Sequence, residues 1–138
     1  MGSLTDLACT YRAGQLVVHY LHNCVKGATF FEDHEFLGEL YGKYEEAYDG
    51  LVERMLGLGE EVDIAGITKK AGADAGGAIA KCGDVGGWPK IVLGLESLIL
   101  DECKRAFKGA SVGTQNFVGQ LADDSEQRVY KVSRRAMK

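Results

Sequence analysis

The stretch from residue 30 to residue 58 constrains the fold of this chain more than any other feature. Its apolar side chains recur every three or four residues, a spacing that places them along one face of an amphipathic helix. They are Phe30, Leu37, Tyr41, Tyr44, Tyr48, Leu51, Met55 and Leu58, with His34 in the one gap. At 1.5 Å per residue this helix is about 43 Å long, well above the globular mean. Such a seam predicts a helix bundle.

Similar stripes predict three more helices, and several residues mark where helices begin or end. The additional helices are expected at about 4–26, 88–108 and 114–136. Gly27 and Gly59 lie where a helix C-terminus favours glycine, and Pro89 suits a first helical turn. Thr29 with Glu32 predicts a capping box at the start of the long helix.

The segment 60–87 is rich in glycine and alanine and interrupts this pattern. We interpret it as a long crossover that contains one short helix near 74–81. The connections on either side of it, between the first and second helices and between the third and fourth, are short. We therefore expect one all-α domain over 1–138. Its arrangement of helices and connections is the topology of a ferritin-like four-helix bundle.

Composition fits one soluble domain. The 138 residues suffice for one sizeable core and are too few for two. A net charge of −4 disfavours a generally basic nucleic-acid binder. The longest apolar run, 91–100, is too short to span a bilayer, so no membrane partner is expected. The first twenty residues lack the pattern of a signal peptide and the four cysteines form no CxxC pair, which predicts free thiols and a cytoplasmic location.

Metal-ligating side chains flank the seam of the long helix. His34, Asp49 and Glu53 lie on that helix, and His22 precedes it. Imidazole together with carboxylate in a helical protein is the ligand set of an iron site. At about 100° per residue, Asp49 falls about 60° and Glu53 about 100° round the helix from His34, so all three share one flank. Asp49 and Glu53 are four residues apart and can chelate together.

The spacing along the helix then requires a second subunit. His34 and Asp49 are fifteen residues apart, which is about 22 Å on one helix and too far to hold the same ion. Two such helices, packed antiparallel across a two-fold axis near Gly42, bring His34 of one chain to Asp49 and Glu53 of the other. Symmetry then creates two equivalent sites. Glycine at 38 and 42 would allow the two backbones to approach closely.

Each of these residues, taken singly, also has an ordinary interpretation. His22 and His34 fit hydrogen-bonded histidines of a bundle, and Asp49 and Glu53 fit a solvated face paired with a cation such as Arg54. An unrelated helical bundle without metal therefore stays an alternative, and only the joint spacing favours a metal site.

The neighbouring aromatic residues keep two interpretations as well. His19, one turn before His22, fits a nearby base or an interface residue. Tyr41, Tyr44 and Tyr48 fit core and interface positions, and a role as electron donors during iron oxidation is the second interpretation.

Three segments together resemble the signature of the Dps-type mini-ferritins, the DNA-binding proteins from starved cells. They are HNCVKGATFFEDHE at 22–35, AYDGLVER at 47–54 and LG at 58–59. The step of twelve residues from His22 to His34, and those of fifteen and nineteen from His34 to Asp49 and Glu53, match the ferroxidase ligands of that family. The likeness is close over about 20–60 and extends to the rest only in the layout of the helices.

This resemblance implies a dodecameric hollow shell that stores iron and limits oxidative damage. Iron(II) binds at sites between subunits, is oxidised preferentially by hydrogen peroxide, and is kept inside as iron(III). His22 and His34 of one chain, with Asp49 and Glu53 of its partner, would be both the metal ligands and the catalytic residues, with Glu53 bridging. Iron (Fe2+/Fe3+) is the only cofactor implied.

Three departures from the family pattern qualify this expectation. Gly38 stands where the family usually has an aspartate, so one hard oxygen ligand is lost and iron binding should weaken. Asn23 replaces the tryptophan that commonly follows the first histidine, and the lysine-rich N-terminal tail of the DNA-binding members is absent. A shell with weakened ferroxidase activity that is structural or compacts DNA is therefore the alternative.

Basic residues near the C-terminus leave DNA binding open. They are Arg128, Lys131, Arg134, Arg135 and Lys138. Four of them, at 128, 131, 135 and 138, form one stripe of the last helix. Cations at this end suit the helix dipole, and repeated copies in a shell would equally form a phosphate-contacting surface.

Overall fold

The computed structural model describes residues 3–137, with the side chain of residue 3 left out, and over this range the fold is all-α. Five α-helices and one short 3-10 turn follow one another without a strand in the described range. They are α1 (Ser3–Cys24), α2 (Phe30–Gly57), α3 (Ile64–Ala80), the 3-10 turn (Val85–Gly87), α4 (Trp88–Phe107) and α5 (Val112–Ala136). The four long helices predicted from the stripes are confirmed to within two residues at each end.

The predicted helix stops are confirmed, but the predicted capping box is wrong. Gly27 and Gly59 have φ of 97° and 81°, a left-handed conformation that glycine adopts without a steric penalty. Thr29 is the N-cap of α2, yet its side chain makes no cap hydrogen bond. Its hydroxyl instead donates to Asp33 Oδ2 at 2.8 Å, because Asp33 is oriented by an arginine from α5.

The crossover is more ordered than the glycine content suggests, and the short helix predicted near 74–81 is wrong in extent. Helix α3 begins at Ile64, ten residues earlier, where the Asp63 side chain accepts a hydrogen bond from the Gly66 backbone N–H at 3.0 Å. Ile67, Ala71 and Ala75 recur every four residues and are buried. Packing of this narrow face against α1 overrides the poor helix propensity of the glycines.

The core lies between the α1–α2 hairpin and the α4–α5 hairpin. Its largest fully buried side chains include Trp88, Tyr11, Tyr44 and Leu51. The carboxylate of Glu96, on α4, also lies in this core and is 0% exposed. No helix within residues 3–137 combines the length and the apolar character needed to cross a membrane.

Candidate metal centre

Two histidines meet where α1 ends and α2 begins. The short connection after α1 turns at Gly27, and it brings His22 of α1 against His34 of α2. The two imidazole rings are stacked, with centroids 3.8 Å apart and planes inclined by 18°. His22 Nδ1 is 2.7 Å from the carbonyl oxygen of His34, and His34 Nδ1 is 2.8 Å from the carbonyl oxygen of His22. The pair is therefore reciprocal.

These two hydrogen bonds fix which nitrogen of each ring is free. A backbone carbonyl oxygen can only accept, so each Nδ1 carries the hydrogen and donates it. In the neutral imidazole the lone pair then lies on Nε2. A histidine that ligates a metal commonly donates its other N–H to a carbonyl in this way, which orients the ring and makes it a better ligand. Both His22 and His34 are thus prepared as Nε2 ligands.

Gly38 provides the space for this pair. A Cβ atom at position 38 would lie 3.0 Å from Cε1 and 3.1 Å from Nδ1 of His22. The His22 ring therefore occupies the volume that any larger residue would need. The sequence indicated only that a carboxylate ligand is missing at this position; the geometry adds that an aspartate there would require the His22 ring to shift.

The expected carboxylate ligands lie farther along α2 in the same chain. Asp49 and Glu53 are exposed. The cations that could neutralise them are engaged elsewhere: Lys43 pairs with Glu46 at 3.7 Å, and Arg54 lies over the ring of Phe117, 4.8 Å from its centroid. The interpretation of the two carboxylates as partners of these cations therefore finds no contact in the structure.

One chain alone brings together two of the four expected ligands. Within residues 3–137, no group of three or more His, Cys, Asp and Glu side chains is arranged to hold a metal ion. His22 and His34 meet, whereas Asp49 and Glu53 are not brought to them within the chain. A single subunit thus presents a pair of imidazoles at one end of α2 and a pair of carboxylates toward the other.

The interior of the bundle is occupied by a hydrogen-bonded ion pair. Arg128 of α5 donates from Nε to Glu96 Oε2 at 2.6 Å and from Nη2 to Oε1 at 3.2 Å. The hydroxyls of Tyr44 and Ser125 donate to the same carboxylate at 2.5 and 2.6 Å. Burial, together with the negative charge of Glu96, raises the pKa of Tyr44 well above its usual range. The carboxylate of Glu96 is fully satisfied by protein donors, so it is not available to a metal.

Two of the basic residues near the C-terminus are also committed to internal carboxylates. Arg128 binds Glu96, and Arg135 forms a two-pronged pair with Asp33, at 3.1 Å to Oδ1 and 2.8 Å to Oδ2. Burial alone would raise the pKa of Asp33, but hydrogen bonds from Arg135 and Thr29 outweigh it and lower that pKa. Lys131 and Arg134 are exposed. The remaining member of the predicted stripe, at 138, lies outside the described residues.

Sequence reasoning missed the ring packing around the histidines. Phe30 stacks on His34, with centroids 4.9 Å apart, and Tyr41 meets His22 edge-on at 5.4 Å. His19 stacks on Tyr41 at 4.2 Å. The spacing of His19 and His22 on α1 put them on one face, but contact with Tyr41 depends on how the two helices cross, which the sequence does not encode locally.

The four cysteines are free, as expected.

Comparison with protein-family models found no match to this chain. Comparison with curated proteins and with solved structures likewise found no similar protein. The functional argument therefore depends on the geometry of the chain itself and on the resemblance of its ligand spacing.

Proposed function

We propose that this chain is the subunit of a ferritin-like shell that binds iron(II), oxidises it, preferentially with hydrogen peroxide, and stores iron(III). The single observation that carries the proposal is the reciprocal histidine pair, in which both Nδ1 atoms are bound to backbone carbonyls and Nε2 is the atom of each ring left for a ligand. Two exposed carboxylates, which form no ion pair within residues 3–137, follow on the same helix. Imidazole and carboxylate ligands together suit iron.

A second copy of the chain completes the site in one particular register. If two α2 helices pack antiparallel with His34 opposite Glu53 of the partner subunit, Gly38 lies opposite Asp49 of the partner subunit. This register brings that carboxylate toward His22, whose ring packs over Gly38. Each imidazole thus acquires one carboxylate, and the two-fold axis repeats the arrangement.

The same register buries two exposed apolar side chains against each other. Phe31 is 81% exposed and Leu56 is 52% exposed, and both fall within about 60° of His34 round the helix, on the flank of Asp49. Pairing His34 with Glu53 also pairs Phe31 with Leu56 of the partner subunit. Burying one such side chain contributes roughly 1.5–3 kcal/mol. The alignment that joins the ligands is therefore also favoured by apolar burial.

The two stacked imidazoles offer one ligand nitrogen each, so the pair can serve two ions. We infer that each imidazole would hold one ion and that Glu53 of the partner subunit would be a ligand common to both. Two iron(II) ions supply the two electrons that peroxide needs: 2 Fe2+ + H2O2 + 2 H+ gives 2 Fe3+ + 2 H2O. The oxidation then releases no hydroxyl radical, which supports a role against oxidative stress in the cytoplasm.

An alternative is a shell whose ferroxidase activity is weakened, which serves as a structural or DNA-compacting protein. Gly38 favours it, because a missing carboxylate leaves a coordination position to water. Gel shifts at several salt concentrations test the DNA part, since phosphate contacts weaken steeply with salt. Lys131 and Arg134 are exposed basic residues of α5 that could make such contacts.

The direct test adds iron(II) anaerobically, then peroxide, and follows ferric absorbance and bound iron. We expect the parent to oxidise and retain iron, and His34→Ala or Glu53→Ala to lose at least tenfold in iron affinity. Glu126→Gln, an exposed carboxyl on α5, is the matched control and should behave as the parent. A parent that stays colourless, or ligand variants that oxidise iron as fast as the parent, would contradict the mechanism.

The mass of the assembly supplies an independent test. Because neither half of the site is complete in one chain, the proposal requires at least a dimer, and the resemblance predicts a dodecamer. Light scattering coupled to size exclusion distinguishes these states. A monomer at all concentrations would contradict the split site.

A further inference from the structure

A third imidazole lies beside the histidine pair and has no part in the ligand set inferred from spacing. His19 is three residues before His22 on α1, and residues at this spacing share one face of a helix. The centroids of the two rings are 6.1 Å apart, and the ring planes are inclined by 54°. His19 is exposed, so a ligand can reach it from solvent.

The inclination of the rings distinguishes this pair from the stacked one. The lone pair of an imidazole nitrogen lies in the plane of its ring. The planes of His22 and His34 are inclined by only 18° at a centroid separation of 3.8 Å, so their lone pairs run nearly parallel and do not meet at one ion. The planes of His19 and His22 cross at a much larger angle, which allows their lone pairs to converge.

The separation of His19 and His22 also fits one shared ion. A metal–imidazole bond is about 2.0–2.1 Å long, so two rings that bind the same ion have centroids within roughly 6.5 Å of each other. The observed 6.1 Å lies inside this limit. Two histidines on neighbouring turns of one helix can therefore act as a chelating pair without a rearrangement of the backbone.

Both rings of the pair are held by contacts that leave an edge free. The face of the His19 ring stacks on Tyr41, with centroids 4.2 Å apart and planes inclined by 12°. Stacking occupies the face of the ring and leaves the nitrogens at its edge. The His22 ring is held through Nδ1, 2.7 Å from the carbonyl oxygen of His34. Ligands that are positioned before the ion arrives lose less conformational freedom on binding.

Gly38 creates the need that His19 can meet. The carboxylate missing at position 38 leaves one coordination position without a protein ligand. The His22 ring packs over Gly38, with its Nδ1 3.1 Å from where a Cβ would lie. His19 is in turn a neighbour of that ring, so it stands next to the ion that His22 would hold.

We propose that His19 and His22 bind one ion together, and that His19 makes this position select later divalent metals of the first transition series. This inference rests on the proposed function, because the remaining ligands are the carboxylates of the partner subunit. Carboxylate oxygens suit Mn2+, whereas imidazole nitrogens suit Ni2+, and iron(II) lies between these two in the general order of affinities. An imidazole in place of a carboxylate therefore strengthens binding of nickel more than binding of manganese.

The test titrates the assembled protein with Ni2+ and, separately, with Mn2+ in the absence of an oxidant, and measures both affinities by isothermal titration calorimetry. We expect His19→Gln to lose about tenfold in Ni2+ affinity and less than about threefold in Mn2+ affinity, so that the ratio of the two falls. A role in packing alone would lower both affinities by the same factor. Glu126→Gln, which removes an exposed carboxylate on α5, is the control for binding elsewhere on the surface and should keep both affinities.

Iron oxidation measured on the same proteins separates two kinds of failure. If His19→Gln keeps the Ni2+ affinity of the parent, or loses both metals equally, His19 is not a ligand; the ferroxidase proposal stands if the parent oxidises iron. If the parent binds neither metal and oxidises iron no faster than iron(II) and peroxide without protein, both proposals are overturned.

Discussion

The polar side chains at the bundle centre differ from those at the end of the α1–α2 hairpin in how completely they are hydrogen-bonded. At the centre, the carboxylate of Glu96 is bound by a guanidinium and two hydroxyls. At the hairpin end, His22 and His34 each use one nitrogen for a backbone carbonyl and leave the other free. The Glu96 carboxylate is therefore satisfied within the fold, whereas the two histidines are held in position with one ring nitrogen each left for a ligand.

This contrast indicates where function can lie in a bundle of this type. A buried charge must be paired, because leaving it unpaired is strongly destabilising. A group at an exposed end can remain unpaired, since water compensates it until a ligand or a second subunit arrives. The ligands of a binding site are thus expected at the periphery here, and the predictions below test both halves of the comparison.

The largest expected effect comes from breaking the central pair. Arg128→Met leaves Glu96 buried without its cation, and we expect a loss of about 3–5 kcal/mol in the free energy of unfolding. Replacing both partners, as in Glu96→Leu with Arg128→Met, should recover more than half of that loss because no buried charge remains. Urea unfolding at one fixed protein concentration measures both values.

Lys131→Met is the matched control for this prediction. Lys131 is an exposed cation on the same helix, and its removal should change the free energy of unfolding by less than about 0.5 kcal/mol. Equal losses for Arg128→Met and Lys131→Met would show that the central network does not stabilise the fold, and the comparison between the two regions would fail.

The second prediction concerns the subunit contact at the hairpin end. Phe31→Ala should weaken self-association by roughly 1.5–3 kcal/mol for each side chain removed from the interface, which is about tenfold or more in the dissociation constant. Leu56→Ala should act in the same direction, because the two side chains are proposed to meet. Sedimentation over a dilution series measures the effect.

Val112→Ala is the control for this contact. Val112 is 84% exposed at the start of α5 rather than on the α2 face of Phe31 and Leu56, and its truncation should leave association unchanged. If Phe31→Ala associates as tightly as Val112→Ala does, the register that pairs His34 with Glu53 of the partner subunit is wrong, whereas the geometry of the histidine pair is unaffected.

Much of the fold could be predicted from the sequence because its long helices are strongly periodic. The stripes at three- and four-residue spacing located α1, α2, α4 and α5, and Gly27 and Gly59 marked two of their ends. Helix α3 was missed in its first ten residues because glycine has a poor helix propensity. Only burial of Ile67, Ala71 and Ala75 against α1 stabilises that helix, and this is a tertiary contact.

The candidate site was proposed from residue types and spacing, but the contacts made by its residues could not be predicted in this way. Spacing alone selected His22 and His34 and indicated that one chain cannot complete the site. Their reciprocal hydrogen bonds to backbone carbonyls depend on how the chain turns at Gly27. The packing of the His22 ring over Gly38 depends on the distance between α1 and α2. Neither quantity has a local sequence signal.

The third prediction separates ring positioning from helix stability. Gly38→Ala places a Cβ 3.0 Å from the His22 ring, so the ring must move and iron affinity should fall about tenfold, in line with losses seen when ligand orientation is disturbed. Gly94→Ala is the control, because a Cβ there meets no atom within 4 Å. It should raise stability by up to about 1 kcal/mol and leave iron binding unchanged.

Isothermal titration with iron(II) under anaerobic conditions measures the affinities of these two variants, and urea unfolding measures their stabilities. Equal iron affinity for Gly38→Ala and the parent would mean that the present position of the His22 ring is not needed for binding. The free imidazoles would then be a consequence of packing, and the contrast with the bundle centre would lose its functional meaning.

The smallest effect is expected at the Asp33–Arg135 pair, which is intermediate between the two regions. Its two hydrogen bonds resemble those of the central pair, but the Arg135 side chain is 42% exposed, so solvent screening limits its contribution to at most about 1 kcal/mol. The pKa of Asp33 is lowered on folding. A lowered pKa stabilises the folded protein above the unfolded-state value and loses that stabilisation as the pH falls through the folded value.

The parent should therefore lose part of its stability below about pH 4, the ordinary range of an aspartate, and Asp33→Asn should show a flatter profile there because it cannot titrate. Arg135→Gln should flatten the profile in the same way, since it removes the group that lowers the pKa of Asp33. Urea midpoints measured from about pH 6 to pH 3 test both variants. Identical profiles for the parent and Asp33→Asn would show that the partly exposed Asp33–Arg135 pair adds no stability. Only a fully buried ion pair, such as that of Glu96, would then be stabilising in this protein.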